Sequence, residues 1–326
     1  MKLKTILALS SLGLCLNSFA SQPTLTVYTY NSFANSWGAA KKLEPLFEQQ
    51  CQCDLKFIPF ENGVTMFNRI RLEGKKSKAD VMLGIDNFLI SEAERSGLFI
   101  EHNLDQNSLN LPTTWQNKTF VPYDYSEYAF IYDKRKVITP PQSLKELVGR
   151  QDLKIIYQDP RTSTVGRGLL FWINQVYGQN AGQAWKTLAK HTVTIGKGWS
   201  ETYSAFLKGE ADLVLSYTTS PLYHQWHEQD NSKIAAPFSE GHLLQIEVGA
   251  ITKTSKNPTL AREFLHFLQQ PEAQEIIAYH NVMKPVIKLN TSKFNQLPNY
   301  SPLEFTQPDT TVVKQWLATW QKAISQ

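Results

Sequence analysis

The sequence predicts a doubly wound α/β fold, arranged as two open lobes joined by a two-segment hinge with a ligand cleft between them. Three observations lead there. Strand-like and helix-like stretches alternate from residue 25 onward, the pattern of sheets flanked by helices. No glycine- or proline-rich linker divides the chain, whereas extended stretches near residues 122–124 and 237–247 offer two crossings between lobes. Three polar turns each follow a strand and precede a helix, where open α/β sheets place their ligands.

The elements follow from period and punctuation. Residues 25–30, 55–59 and 80–84 read as strands, and residues 41–49, 64–72 and 88–95 as the helices between them. A second register begins near Tyr123, with strands at 129–132, 154–157, 192–195 and 211–217. Its helices fall at 144–148, 169–177, 181–190, 200–208 and 222–228. An extended run at 243–252 leads to helices at 260–269 and 272–278, and an amphipathic helix at 312–324 ends the chain. Lobe 1 is therefore read as residues 21–123 with 238–300, lobe 2 as 124–237, and 301–326 as a helical segment packing on the lobes.

The N-terminus reads as a secretory signal. Lys2 and Lys4 precede an apolar run at 6–16, and Ser18-Phe19-Ala20 offers a small-x-small cleavage site. The run is short of the roughly 20 residues that span a bilayer, and no other segment is long and apolar enough, so no integral membrane protein is expected. The balance of 33 basic against 29 acidic residues is near neutral, and no basic cluster points to nucleic acid. Beyond the signal, Cys51 and Cys53 are the remaining cysteines. A local disulfide is expected in an oxidising compartment, with free thiols as the alternative.

The turns carry the functional signal. Residues 155–168 run from a short apolar strand through Ser163 and Thr164 into a helix. Asn62 and Gly63 stand at the same point of the first turn, and Thr218, Thr219, Ser220 and Pro221 at the third. A helix N-terminus has unpaired N–H groups, and with hydroxyls beside it can receive an anion. One such turn is normally a cap, but three in an exported chain point to a ligand site. Aromatic residues flank them: Tyr30 and Trp37, Trp199 after a glycine-rich turn, and Tyr217 and Tyr223 around the third. Tyr28, Trp172 and Trp185 read as core. Aromatic faces with anion-binding turns suit a flat cationic ring carrying a hydroxyl or phosphate.

No catalytic signature stands out. The chain has no GxSxG, SxxK, HExxH, Walker or GxGxxG motif. His224 and His227 share a helical turn, but read more simply as a solvated face than as a metal site. Neither a metal nor a cofactor is expected.

Several of these runs bear a resemblance. Leu25 to Tyr30, Ser77 to Val81, Tyr157 to Thr164, Lys197 to Glu201 and Asp212 to Pro221 resemble the periplasmic thiamine-binding proteins of bacterial ABC thiamine importers. The Tyr-Gln-Asp-Pro-Arg-Thr-Ser and Ser-Tyr-Thr-Thr-Ser-Pro runs are the specific ones, and the resemblance extends from about Leu25 to the C-terminus. It implies a type II periplasmic binding protein that carries thiamine or its mono- and diphosphate to permease subunits driven by a cytoplasmic ATPase. It also implies ligand contacts at Asn62, Gly63, Ser163, Thr164, Trp199, Tyr217, Thr218, Thr219 and Ser220, with Tyr30, Trp37 and Tyr223 as further walls. Two departures stand out: the family commonly has aspartate where this chain has Asn62, and tryptophan near Val282. Competing readings are a ferric-ion or oxyanion receptor of the same superfold and a secreted thiamine-acting enzyme. The latter needs an activated nucleophile, and both cysteines lie away from the turns.

Overall fold

The computed structural model describes residues 22–289 and 293–325. The secretory signal read at residues 1–20 lies outside the described residues. The first lobe opens with β1 (Thr24–Tyr30), α1 (Asn31–Ala34), α2 (Ala40–Cys51), β2 (Asp54–Phe60), α3 (Gly63–Glu73), β3 (Val81–Asp86), α4 (Ile90–Ser96) and β4 (Phe99–Ile100). A long strand, β5 (Val121–Asp133), leads into the second lobe. There follow α5 (Leu144–Gly149), β6 (Ile155–Gln158), α6 (Thr164–Tyr177), α7 (Ala181–Ala189), β7 (Thr192–Gly196), α8 (Trp199–Leu207) and β8 (Leu213–Tyr217). A short α9 (Ser220–Tyr223), a π turn (His224–Glu228) and β9 (Lys233–Ala235) complete that lobe. The chain returns through β10 (Leu244–Thr252) to α10 (Pro258–Leu268), α11 (Pro271–His280) and β11 (Lys284–Pro285), and ends in α12 (Thr310–Ile324).

The strand order is β2-β1-β3-β10-β5-β8-β6-β7. Parallel pairs β1–β2 and β1–β3 form one half, and β6–β7 and β6–β8 the other. Antiparallel β10 and β5 stand between them. β5 pairs with β10 over residues 121–127 and with β8 from Tyr128 onward. The change of partner thus falls between Glu127 and Tyr128, a few residues beyond the boundary read at 123/124. The sequence reading began this strand at 129, because Pro122, Asp124, Ser126 and Glu127 break its apolar pattern.

Burial explains the elements. β3 is buried along its whole length, as expected for a strand covered on both faces. Helix α6 buries residues 164–174 without interruption, and its Gly168 faces the Tyr128 ring so closely that a Cβ would come within 2.1 Å of it. Tyr28, Trp172 and Trp185 are core, as read. Cys51 and Cys53 are joined in a disulfide at the end of α2.

The C-terminal helix belongs to the core of the second lobe. Val313, Trp320 and Ala323 of α12 pack with Trp172, Trp185 and their neighbours, and the Trp320 indole donates to the Tyr157 hydroxyl at 3.2 Å. Contact with the first lobe is lighter, through Asp309 to Arg95 at 3.6 Å. Truncating Trp320 to alanine is expected to cost about 3–5 kcal/mol, the range for a fully buried large aromatic, read as a shift of the urea unfolding midpoint.

Candidate ligand-binding site

The three turns meet where the lobes face each other. Asn62, extended at φ −160 and ψ 170, caps α3 by accepting from the Gly63 N–H at 2.8 Å. The same Oδ1 accepts from the Thr164 N–H at 2.9 Å and the Thr164 hydroxyl at 3.2 Å. One amide oxygen therefore serves the N-termini of α3 and α6, from opposite lobes. Beside it the Thr65 N–H donates to the Thr162 carbonyl at 3.3 Å. Gly63 makes the approach possible, since a Cβ there would lie 2.8 Å from Thr164 Cγ2 across the cleft and 2.1 Å from the Gly84 carbonyl oxygen of β3. Buried Arg167 of α6 adds a bridge to Glu92 of α4 at 3.3 Å.

Between the lobes lies a cleft. Tyr30, Trp37, Asn62, Thr164, Trp199, Tyr217, Thr219, Ser220 and Tyr223 all line it. Gly63, Ser163 and Thr218, read from the sequence as ligand contacts, do not. Gly63 is spent on the backbone approach. Ser163 is fully buried, and its hydroxyl accepts from the Gly166 N–H at 3.3 Å as the cap of α6. Thr218 turns inward, donating to the Glu127 carboxylate at 2.7 Å. The anion-site argument loses its strongest donors this way, because the Thr164 amide is occupied by Asn62 and the Gly166 amide by Ser163.

The aromatic walls are held by polar contacts behind them. The Trp199 indole donates to Ser216 Oγ at 2.7 Å and stacks on Tyr203 with centroids 4.8 Å apart. Ser216 Oγ in turn lies 2.7 Å from Ser220 Oγ, and Tyr217 stacks on Tyr128 at 5.5 Å. Behind Tyr203, its hydroxyl meets His224 Nε2 at 2.9 Å, while His224 Nδ1 meets Glu228 at 2.6 Å. His224 is fully buried, so it is a support for the wall and not part of a solvated helix face.

Sequence reasoning missed the other half of the lining: Ser32, Val165, Tyr203, Glu247, His280, Asn281 and Met283, with Val282 noted only as a departure. Val282 is a β-branched residue at φ 52, a conformation costing about 1–2 kcal/mol. Its neighbour Asn281 is anchored by donating to Tyr30 Oη at 3.0 Å and Asp124 Oδ2 at 2.7 Å, which holds the turn in that strained form.

Glu247 is the charged residue of the cleft wall. Its Oε2 accepts from the Tyr30 and Tyr123 hydroxyls at 2.6 and 2.7 Å, and its Oε1 from Gln245 at 3.3 Å. Burial raises its carboxyl, while the tyrosine bonds pull the other way. Burial followed by the Glu247 charge drives the Tyr30 and Tyr217 hydroxyls far above their ordinary range, so both are neutral donors at physiological pH. Among the described residues, no lysine or arginine lines this cleft, and no three His, Cys, Asp or Glu side chains gather as a metal cluster. An aromatic cleft with an acidic floor and no basic wall favours a planar cation.

A family model described as bacterial extracellular solute-binding protein matches residues 25–280. The chain belongs to that family. It is 51% identical to the thiamine-binding periplasmic protein of Escherichia coli (strain K12), over 96% of this chain and 97% of the relative. Identity to the protein of the same name from Haemophilus influenzae is 50%, covering 94% and 93%. A solved periplasmic thiamin binding protein superposes with a TM-score of 0.91 at 51% identity, covering 94% and 97%. Iron-bound HitA from Pseudomonas aeruginosa shares the fold at a TM-score of 0.74 and 17% identity, over 92% and 99%. Solute-binding proteins of this family are two-lobed, and here Asn62 is the latch between the lobes. Asn62→Ala strands two helix-terminal donors and is expected to weaken the closed form by about 1–3 kcal/mol. Small-angle scattering should then give a larger radius of gyration than the wild type, and equal radii would remove Asn62 as a latch.

Proposed function

We propose that this protein is a periplasmic receptor that captures thiamine, or its mono- and diphosphate, between its lobes and delivers it to the permease of an ABC importer with a cytoplasmic ATPase. The observation that carries the reading is the composition of the cleft: aromatic faces on several sides, one acid, and no lysine or arginine among the described residues. Thiamine joins a cationic thiazolium to a planar aminopyrimidine, so both rings can stack and the charge has a counterpart in Glu247. The strong likeness to relatives named for thiamine binding supports the same ligand. Thiamine is cargo on this reading, and no cofactor is needed.

Binding without turnover is the favoured activity. Cys51 and Cys53 are tied to each other and are absent from the cleft wall, so neither is placed as a nucleophile. The ferric reading draws on the fold shared with iron-binding proteins. It would need tyrosinate ligands at Tyr217 and Tyr223, whose hydroxyls burial pushes above their ordinary range. A phosphate ester would reach the α6 N-terminus only by displacing Asn62 from the Thr164 amide. Preference between free and phosphorylated thiamine therefore reports on that exchange.

Calorimetric titration of the ligand-stripped mature chain with thiamine, its two phosphates and ferric citrate tests the reading. One-to-one binding of thiamine compounds with the ligand recovered intact is expected. Binding of iron alone would overturn it. Trp199→Ala should weaken thiamine binding by at least about 1 kcal/mol, the lower range for a stacked cation, and unchanged affinity in the folded variant would take Trp199 out of the site.

A further inference from the structure

Three buried carboxyl groups stand in one row beneath the cleft, and of them Glu247 reaches its lining. In the antiparallel ladders Glu247 of β10 lies opposite Asp86 of β3 on one side and Asp124 of β5 on the other. Asp86 and Asp124 are fully buried and Glu247 nearly so. Like charges directly opposite on neighbouring strands repel, and buried carboxylates this close cannot all ionise.

The surroundings compensate the row only in part. Tyr30 and Tyr123 donate to Glu247, Tyr128 donates to Asp86 at 2.9 Å, and Asn281 donates to Asp124 Oδ2. The cation that acts on the row is Arg167, through Asp86, and its guanidinium is already bonded to Glu92. Tyr217 and His280 also face the cleft. Asp124 Oδ1 is buried with no hydrogen-bond partner. An ionised oxygen in that position is costly, while a protonated one becomes a donor. Burial raises all three carboxyls, Asp86 to about 7. Asp124 is raised further by the charge of Glu247.

We propose that in the empty receptor Asp124 and Glu247 share one proton, and that a cationic ring settling against Glu247 expels it to solvent, so that ligand capture is coupled to proton release. The inference rests on the thiamine reading and deepens it. Asp124 does not line the cleft; it sets affinity by deciding whether Glu247 meets the ligand as a full charge. The sign follows from linkage. A positive ligand favours the doubly ionised pair and lowers its apparent pKa in the complex. Affinity is then greatest above the pair's value in the free protein, and falls by up to about tenfold per pH unit below it. His280 acts in the same direction, since a nearby cation also opposes its protonation, and burial already lowers its pKa.

The test is calorimetry of the full mature chain with thiamine from about pH 5.5 to about 8, each pH in two buffers of different ionisation enthalpy. The wild type is expected to release close to one proton per thiamine at the acidic end, with affinity rising alongside pH. Asp124→Asn should lose most of that release and bind with nearly flat pH dependence, more tightly than the wild type in acid. Glu247→Gln should also lose the release, and in addition weaken binding at every pH. A wild type that binds thiamine without proton release across the range overturns the proposal, whether or not the variants fold. Release unchanged in Asp124→Asn overturns it too, assigning the proton to Asp86 or His280. Absence of thiamine binding at any pH sinks the receptor reading itself, an outcome distinct from binding without protons.

Discussion

The structure depends on one strand serving two sheets. β5 is laddered to β10 through Glu127 and to β8 from Tyr128 on, so each lobe is fastened to the other by the same continuous backbone. Such a strand bends more readily than it shears, because its hydrogen bonds on either side of the changeover belong to different lobes. Parallel strands on both sides direct their carboxyl ends toward the junction, and the loops that follow them form the cleft. Position, cleft and aromatic walls all follow from that arrangement.

Within the cleft, hydrophobic and polar forces divide the work. Stacked rings supply surface that a planar ligand can cover, and hydrogen bonds such as Trp199 to Ser216 fix their orientation. Across the mouth, the side chain that bridges the lobes is the neutral amide of Asn62. A neutral amide gives up the attraction between an anion and two helix N-termini, yet it still accepts three hydrogen bonds. The latch is therefore directional but weak. That suits a receptor whose lobes must part again to release what they hold.

Much of the architecture was legible because period and punctuation agree with it. The helix at 164–177 announced itself by Leu169, Leu170, Ile173 and Gly178, and the strands around it by short apolar runs. The hinge strand was shortened in the reading for a physical reason: its first half carries Pro122, Asp124, Ser126 and Glu127, which serve the junction and not the core. The site was half legible. Turn residues and aromatics follow recognisable chemistry, and the cleft gathers most of them. Ser163 and Thr218 do not line the cleft, and a capping hydroxyl and a ligand-binding hydroxyl look alike in sequence. Glu247 was missed, although its signal was present: an acid between Ile246 and Val248 in a buried strand is expensive unless it has a task. Asn281 and His280 had no signal, since only the fold carries the end of α11 to the cleft.

The order in which the lobes are threaded also shapes how the protein comes into being. β3 lies between β1 and β10, yet β10 is made only after the whole second lobe. The first lobe cannot complete its sheet until residues 244–252 exist, so its stabilising contacts are distant in sequence and its folding is correspondingly slow. A nascent chain of this design stays pliable for most of its synthesis. For a polypeptide that must be drawn through a narrow membrane pore before it folds, that delay keeps the thread loose until it reaches the far side.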